Sequence, residues 1–295
     1  MRLDPQQLAA LRAVVQHGTF DAAAVTLGVT PSAVSQRVKA LEREVGQVVV
    51  RRVRPCRPTG AGEVLLRMAT QLALVEAEAE AALRPTEAGP VPLSVAVNAD
   101  SLGTWFRQVL AAVAQDQQVA LTVLAEDQGH SAELLRSGAV MAAVTADPAA
   151  VQGCSVVELR PMRYLPVATP ALVERHLSRG RKRDGLARMP MVRFNAKDDL
   201  QHEVLRRLDA PDPAVVHHVP STEDFAVAVR LGLGWGMLPE QQLGDDLQAG
   251  RLVRVARGAV SVPLYWQRWR IESAALDRLT GWVRAAAVSG AARPR

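Results

Sequence analysis

Cysteine is scarce in this chain: Cys56 and Cys154 are the only two among 295 residues. They stand far apart, without CxxC or Cys/His spacing. That excludes a disulfide framework and a zinc site legible in sequence, and suits two reduced thiols. Long apolar runs are missing as well. No stretch of about eighteen apolar residues occurs, so no membrane-spanning helix is expected. The opening MRLDPQQLAALRAVV carries Asp4 and no small-residue cleavage site. It therefore does not read as a signal peptide, and the expected location is the cytoplasm. Catalytic signatures are absent too: there is no GxSxG elbow, P-loop, GxGxxG turn or HExxH. LGLGWG is glycine-rich but leads into an apolar strand, and His217-His218 have no companion ligands nearby. No catalytic residue, cofactor or metal is expected.

What is present is an uneven distribution of charge. Residues 1–60 hold nine Lys/Arg and four Asp/Glu, a net +5 that equals the formal charge of the whole chain. The remaining residues hold 26 basic and 26 acidic side chains and sum to zero. A basic head on a neutral body is the footprint of a nucleic-acid-binding module joined to something else.

The head reads as three helices and a ribbon. Leu8, Leu11, Val14 and Val15 recur at helical spacing, and FDAAAVTL forms a short second helix stopped by Gly28. Thr30 then suits an N-cap and Pro31 the first helical position, where its missing N–H costs nothing. In the helix that follows, Val34, Val38, Leu41 and Val45 make a buried stripe, while Ser32, Ser35, Gln36, Lys39 and Arg43 take the outer face. A helix-turn-helix lays such a second helix in the major groove. There Ser and Gln bond base edges, and Arg and Lys hold phosphates or guanine. VVVRRVRP adds Arg51, Arg52 and Arg54 on a basic hairpin wing. Thr30, Pro31, Ser32, Ser35, Gln36, Arg37, Lys39, Arg51, Arg52 and Arg54 are the expected DNA-binding set, with double-stranded operator DNA as partner.

From Thr59 a long helix is expected, with Leu65, Met68, Leu72 and Val75 at the 3-4 spacing of a two-stranded seam. These four are the expected dimerisation residues. PTEAGP then reads as a hinge. Strand and helix signals alternate beyond it, including a helix over Ser101 to Ala114, which implies parallel sheets in two α/β lobes with a cleft between them. The domain reading is 1–58 for the winged helix-turn-helix, 59–84 for the linker helix, 85–90 for the hinge and 91–295 for the body. Within the body, the first lobe takes about 91–163 and 262–295, and the second about 164–261.

Taken together, HGTFDAAAVTLGVTPSAVSQRVKALEREVG, RPTGAGEVLL, LLRSGAVMAAV and LGLGWGMLPE resemble the LysR-type transcriptional regulators over essentially the whole chain. LSVAVNADSLGTWF, AEDQGHS and LYWQRW are more narrowly similar to the lysine/arginine-responsive LysG/ArgP (IciA-like) branch. Two positions depart from the pattern. The common LFxR of the wing reads Val49-Val50-Arg51-Arg52, and Met141 stands where many relatives carry an acid. The resemblance implies an α+β multidomain protein: a winged helix-turn-helix, a dimerisation helix and a two-lobed, periplasmic-binding-protein-like effector domain. It also implies a homodimer or homotetramer, a basic amino acid (L-lysine or L-arginine) as effector, control of amino-acid export, and RNA polymerase as a further candidate partner.

A ligand in such a domain meets strand ends and helix starts. Asn98, Asp100 and Ser101 form a strand-to-helix turn suited to an α-carboxylate. Trp105 and Thr145 are candidates for the same space. Glu126, Asp127 and Asp224 offer carboxylates to an ammonium or guanidinium group. Blander roles stay open: Asp100 or Ser101 as a helix cap, Asp224 as a first-turn acid, and Trp105 as core. An enzyme, an architectural DNA-binding protein and a regulator with another effector remain the alternatives.

Overall fold

A computed structural model describes residues 3–84, 88–125, 131–178 and 181–289. Three helices open the chain, α1 (Pro5–His17), α2 (Phe20–Leu27) and α3 (Pro31–Val45). The short pair β1 (Val50–Arg51) and β2 (Arg57–Pro58) and the long α4 (Gly60–Leu83) follow. Next come β3 (Val91–Val97), α5 (Ala99–Gly103), α6 (Arg107–Asp116), β4 (Val119–Ala125), α7 (Ser131–Ser137) and β5 (Ala142–Thr145). The chain continues with β6 (Cys154–Ala168), α8 (Pro170–Leu177), α9 (Lys182–Arg188), β7 (Met191–Arg193), α10 (Leu200–Arg207) and β8 (Val216–His218). It closes with α11 (Thr222–Arg230), β9 (Gly236–Pro239), β10 (Val253–Arg254), β11 (Val260–Trp269) and α12 (Ala274–Ser289).

These elements form two compact units: Met1–Asn98, Val109–Glu158 and Tyr265–Val283 in the first, Ala99–Gln108, Leu159–Leu264 and Arg284–Arg295 in the second. The head and α4 therefore group with the first lobe of the body. The segment carrying α5 groups with the second.

In the first unit the head closes over Leu8, Leu11, Val14, Ala23, Ala24, Val34, Val38 and Leu41, joined by Val49 of the wing and by Leu65 and Ala69 of α4. Local capping fixes the helix starts: the Thr19, Thr30 and Thr59 hydroxyls accept from the N–H groups of Ala22, Ala33 and Gly62. Gly28 supplies the left-handed turn into α3, with φ of 62°. The wing lies so close to α4 that a Cβ at Gly62 would sit 2.0 Å from the Val49 carbonyl oxygen.

Further along, α4 is tied to the first lobe at two points. Thr70 Oγ1 donates to the Gly138 carbonyl at 3.0 Å, and a Cβ on Gly138 would come within 2.4 Å of Arg67 Cα. Eight residues on, the Glu78 carboxylate accepts from the Ser273 hydroxyl at 2.5 Å and the Ala275 N–H at 3.0 Å, capping α12. This packing corrects the expected seam. Leu65 is only 5% exposed in the head's core and Leu72 is half-buried against it. The exposed apolar stripe of α4 runs instead through Val64, Met68 and Val75.

The sheet of the first unit places β3 between β4 and β5, parallel to both, and β11 antiparallel to β5 with Tyr265 opposite Thr145. In the second unit β6 pairs antiparallel with β9 and β10, while β7 and β8 are parallel. The sheets are thus mixed rather than all-parallel, because β6 and β11 are the strands that carry the chain from one unit to the other.

The second unit's core gathers Leu165, Val167, Val192, Phe225, Val229, Leu238 and Leu252. Beside it Asp246, 4% exposed, accepts from Arg230 Nε at 2.8 Å and Arg251 Nε at 2.6 Å. Burial opposes ionisation of Asp246, but the two guanidiniums outweigh it and hold the carboxyl below the usual carboxylate range.

The helix expected over Ser101 to Ala114 is broken in two. Trp105 and Phe106 are adjacent, both buried, and packed edge to face at 5.6 Å. A regular helix turns consecutive side chains about 100° apart, so burying both aromatics ends α5 and restarts the chain as α6.

Candidate DNA-reading surface and effector site

In the head, α3 turns its polar face outward. Ser32, Gln36, Lys39 and Arg43 are exposed, Ser35 and Arg37 half-buried, and Val34, Val38 and Leu41 fully buried beneath them. Thr30 and Pro31 start the helix, with Thr30 Oγ1 accepting from the Ala33 N–H at 3.2 Å. Their role is to set the helix entry. A groove runs along the second half of α3, lined by Gln36, Lys39, Glu42 and Arg43 and by Gln47 and Val48 of the following turn. The Glu42 carboxylate is turned to the wing, accepting from the Val49 N–H at 3.0 Å.

Arg51, Arg52 and Arg54 are all exposed on that wing. The Arg52 guanidinium lies 4.8 Å from the Phe20 ring centroid, which holds it in place without hiding its charge. The surface thus combines amide and hydroxyl groups on α3 with a flanking row of cations on the wing.

The expected effector residues separate by unit. In the second unit Asp100 sits in α5 and accepts from the Tyr164 hydroxyl at 2.7 Å and the Thr222 hydroxyl at 3.3 Å. Ser101 is fully buried, and its Oγ has no hydrogen-bond partner among the described residues; neither has Trp105 Nε1. Because α5 spans only five residues, it offers little aligned dipole. A carboxylate there would rely on the Ser101 hydroxyl and the Trp105 indole N–H. Asp224 is exposed in the first turn of α11, whose start is capped by the Ser221 hydroxyl. Its neighbour Glu223 pairs with Arg107 at 2.8 Å.

In the first unit Asn98 ends β3 with its Oδ1 buried and unpartnered among the described residues, and the Ser131 hydroxyl at the start of α7 is in the same condition. Thr145, expected to face a ligand, is engaged locally. Its hydroxyl donates to the Asp147 carbonyl at 3.1 Å and accepts from Gln267 at 3.4 Å. The same Gln267 amide, fully buried, also holds Ala149 and Val151. Glu126 and Asp127 lie outside the described residues.

Two family comparisons bear on this geometry. Residues 5–63 match the family described as bacterial regulatory helix-turn-helix protein, lysR family, and residues 91–288 match the LysR substrate binding domain. The chain belongs to the LysR family. The lysine export transcriptional regulatory protein LysG of Corynebacterium glutamicum is 46% identical over 290 residues, covering 98% of this chain and 99% of that protein.

Among solved structures, ArgP from Mycobacterium tuberculosis superposes with a TM-score of 0.86 at 48% identity, over 100% of both chains. Full-length LysG from Corynebacterium glutamicum with bound effector Arg gives 0.78 at 45% identity, over 99% of this chain and 100% of that one. The named relatives are transcription regulators, not enzymes.

As a LysR-family member, the chain is a DNA-binding transcription regulator with an N-terminal helix-turn-helix and a C-terminal substrate-binding domain. No group of three or more His, Cys, Asp or Glu among the described residues is placed to hold a metal, and no described helix is long and apolar enough to cross a membrane.

Four residues that the structure places beside the expected site residues were not among the expected set. Gln47 follows a helix end and carries no periodic signal. Ser131 stands one residue before the helix that the sequence suggests over 132–136. Tyr164 and Thr222 reach Asp100 from 64 and 122 residues away.

Proposed function

We propose that this LysR-family regulator senses a basic amino acid, L-lysine or L-arginine, and controls a gene for amino-acid export. The observation that carries the reading is the conjunction, in one short segment, of the Asp100 carboxylate with the buried donors of Ser101 and Trp105, which meet no partner among the described residues. An acceptor beside two donors suits a zwitterionic amino acid. The arginine-bound relative and the lysine-export relative supply the side-chain class. Glu126 and Asp127, which follow β4, are the proposed partners of the distal cation.

The head reads operator bases through Ser32, Ser35 and Gln36, while Arg51, Arg52 and Arg54 hold phosphates. The protein acts in the cytoplasm as a homodimer, or a homotetramer built from dimers, through the exposed stripe of α4, and RNA polymerase is its partner in transcription. Effector binding changes operator affinity by an allosteric coupling of about 1–3 kcal/mol.

A thermal-shift screen of the twenty amino acids against the full chain tests the reading. Lysine and arginine should raise the melting temperature, by about 2.7 kcal/mol of added stability at a hundredfold excess over Kd. A shift with leucine and none with either basic amino acid would remove the effector class.

A further inference from the structure

The body is neutral only on average. Residues 170–190, which carry α8 and α9, hold six Lys/Arg against Glu174 and Asp184, a net +4. The rest of the body, 61–169 and 191–295, holds 20 basic and 24 acidic side chains and is net −4. A second basic segment therefore lies in the second unit, hidden in the sum. It is nearly as charged as the head, in a far shorter stretch of chain.

The two helices pack closely and hold these charges in the open. Gly185 of α9 lies so near α8 that a Cβ there would sit 2.4 Å from the His176 carbonyl oxygen, and Leu172 and Leu186 are buried. Arg175, Arg181, Lys182 and Arg188 are exposed and make no ion pair among the described residues, whereas Arg183 is paired with Asp184 and Asp209. Elsewhere in the same unit Arg206, Arg207, Arg230 and Arg251 each lie against carboxylates. Like charges gather instead at the α8–α9 hairpin. Burial first, and then the Arg175 and Arg188 charges, hold the His176 imidazole below its ordinary value.

Helix stabilisation explains only half of this arrangement. Arg175 and Arg188 stand in last turns, where the helix dipole favours cations, but Arg181 and Lys182 stand at the start of α9, where it opposes them. A protein–protein interface fits no better, since such interfaces place apolar and aromatic residues at their centre. None of the large exposed apolar side chains of the described residues lies between 170 and 190. Cations without an apolar centre suit a polyanion met through its phosphates, a contact that carries no sequence information. A regulator that binds duplex DNA already has that partner beside it.

We infer that the α8–α9 hairpin is a second DNA contact, through which Arg175, Arg181, Lys182 and Arg188 hold phosphates outside the bases read by the head. The contact is independent of the effector, whatever that effector is.

Binding of the full-length chain across a salt series, without effector, tests it on two probes: a core operator duplex and the same operator carrying random sequence on both sides. Wild type should gain affinity from the added sequence. Arg175→Gln, Lys182→Gln and Arg188→Gln together should bind the core duplex as wild type does. On the extended duplex this variant should lose about tenfold and flatten the salt slope by up to about 2.7, at about 0.9 per phosphate contact. Arg175→Lys with Arg188→Lys should keep the wild-type gain, because a point charge suffices to hold a phosphate. The control, Arg160→Gln with Arg254→Gln and Arg257→Gln, removes the same charge from other exposed positions of the unit and should also keep the gain.

No gain for wild type from the added sequence, or an unchanged slope in the hairpin variant, would overturn the inference. An equal loss in the control would reduce the effect to net charge and overturn it as well. So would an equal loss on the core duplex, which would trace the defect to the head. Unchanged DNA binding with weaker transcription by RNA polymerase would assign the surface to an acidic protein partner instead. The three substituted side chains are exposed, so the melting temperature should barely move. Should the triple variant not fold, Lys182→Glu alone carries the same comparison, because the dipole at the start of α9 favours it.

Discussion

The proposed recognition groups of the head and of the second unit are held in place by opposite physical means. On α3 and the wing the recognition groups are exposed, consecutive in sequence and held by a core that lies beneath them. Around Asp100 they are buried or half-buried and drawn from three distant stretches of chain, with Tyr164 and Thr222 holding the carboxylate. DNA is a large polyanion that meets a convex surface, so charge can stay hydrated until contact and affinity follows salt. A small zwitterion must be surrounded, so each of its polar atoms needs a desolvated partner already in place. Substitutions in the head should therefore change binding with little loss of stability, whereas those in the body should change both.

The strongest challenge to that contrast is at the exposed face of α4. Placing charges at Met68 and Val75, as Met68→Asp with Val75→Asp, leaves the head's core untouched but buries carboxylates in any helix-to-helix seam. The dimer should dissociate at micromolar protein in sedimentation velocity, and operator affinity should fall with it. An unchanged sedimentation profile would place the interface elsewhere.

Next in size, replacing Arg51, Arg52 and Arg54 together by alanine should weaken operator and random DNA alike, on the order of a hundredfold at physiological salt. It should also reduce the salt slope by up to about 2.7, at about 0.9 per phosphate contact. The melting temperature should barely move, apart from the lost stacking of Arg52 on Phe20. Gln36→Ala should instead cost roughly 1–3 kcal/mol against operator only, read as a narrowed ratio between operator and random DNA.

The contrasting body variant is Asp246→Asn. It removes the charge that two guanidiniums share, yet both arginines retain access to water. The loss should be about 1–2 kcal/mol, seen as a lower urea midpoint with operator affinity per folded molecule unchanged. Because the folded carboxyl is held below its ordinary value, this contribution is present above the usual Asp range and disappears as pH falls through the folded pKa. The difference between wild type and variant should therefore shrink in acid. The smallest effect is expected at Cys154, where burial pushes the thiol up to about 11 despite Arg67 and Arg270 nearby. A thiol reagent at pH 8 should leave it unmodified in the folded chain and label it on unfolding.

The same contrast decides what could be read without coordinates. The head was legible because its signals are local: Thr30 and Pro31 start α3, Gly28 breaks before it, and a four-three-four stripe buries Val34, Val38 and Leu41. The effector segment was half legible. Asn98, Asp100 and Ser101 could be singled out because a strand end next to a helix start is a local pattern. Tyr164 and Thr222 were not, since nothing within a few residues of either announces Asp100.

Thr145 shows the reverse case. Its position at a strand end suggested a ligand, but Gln267 from β11, 122 residues away, already uses its hydroxyl. In α4 a regular apolar spacing concealed a choice between two covers, and the head takes Leu65. The helices α8 and α9 escaped notice because a run of arginines from Arg175 to Arg183 obscures their short apolar stripe.

The two ties of α4, at Thr70 and at Glu78, make the helix a lever arm. Its 24 residues span about 36 Å at about 1.5 Å per residue. Because the ties fix it to the first lobe over its middle and far portions, the head rides on the free length. The free length from Gly60 to Thr70 is about 15 Å at about 1.5 Å per residue, so a tilt of about 5° at Thr70 displaces the head end by about 1.3 Å. Small angular changes in the lobe thus reach the head as fractions of a base-pair step, and the side chains that set the gearing are Thr70, Gly138, Glu78 and Ser273.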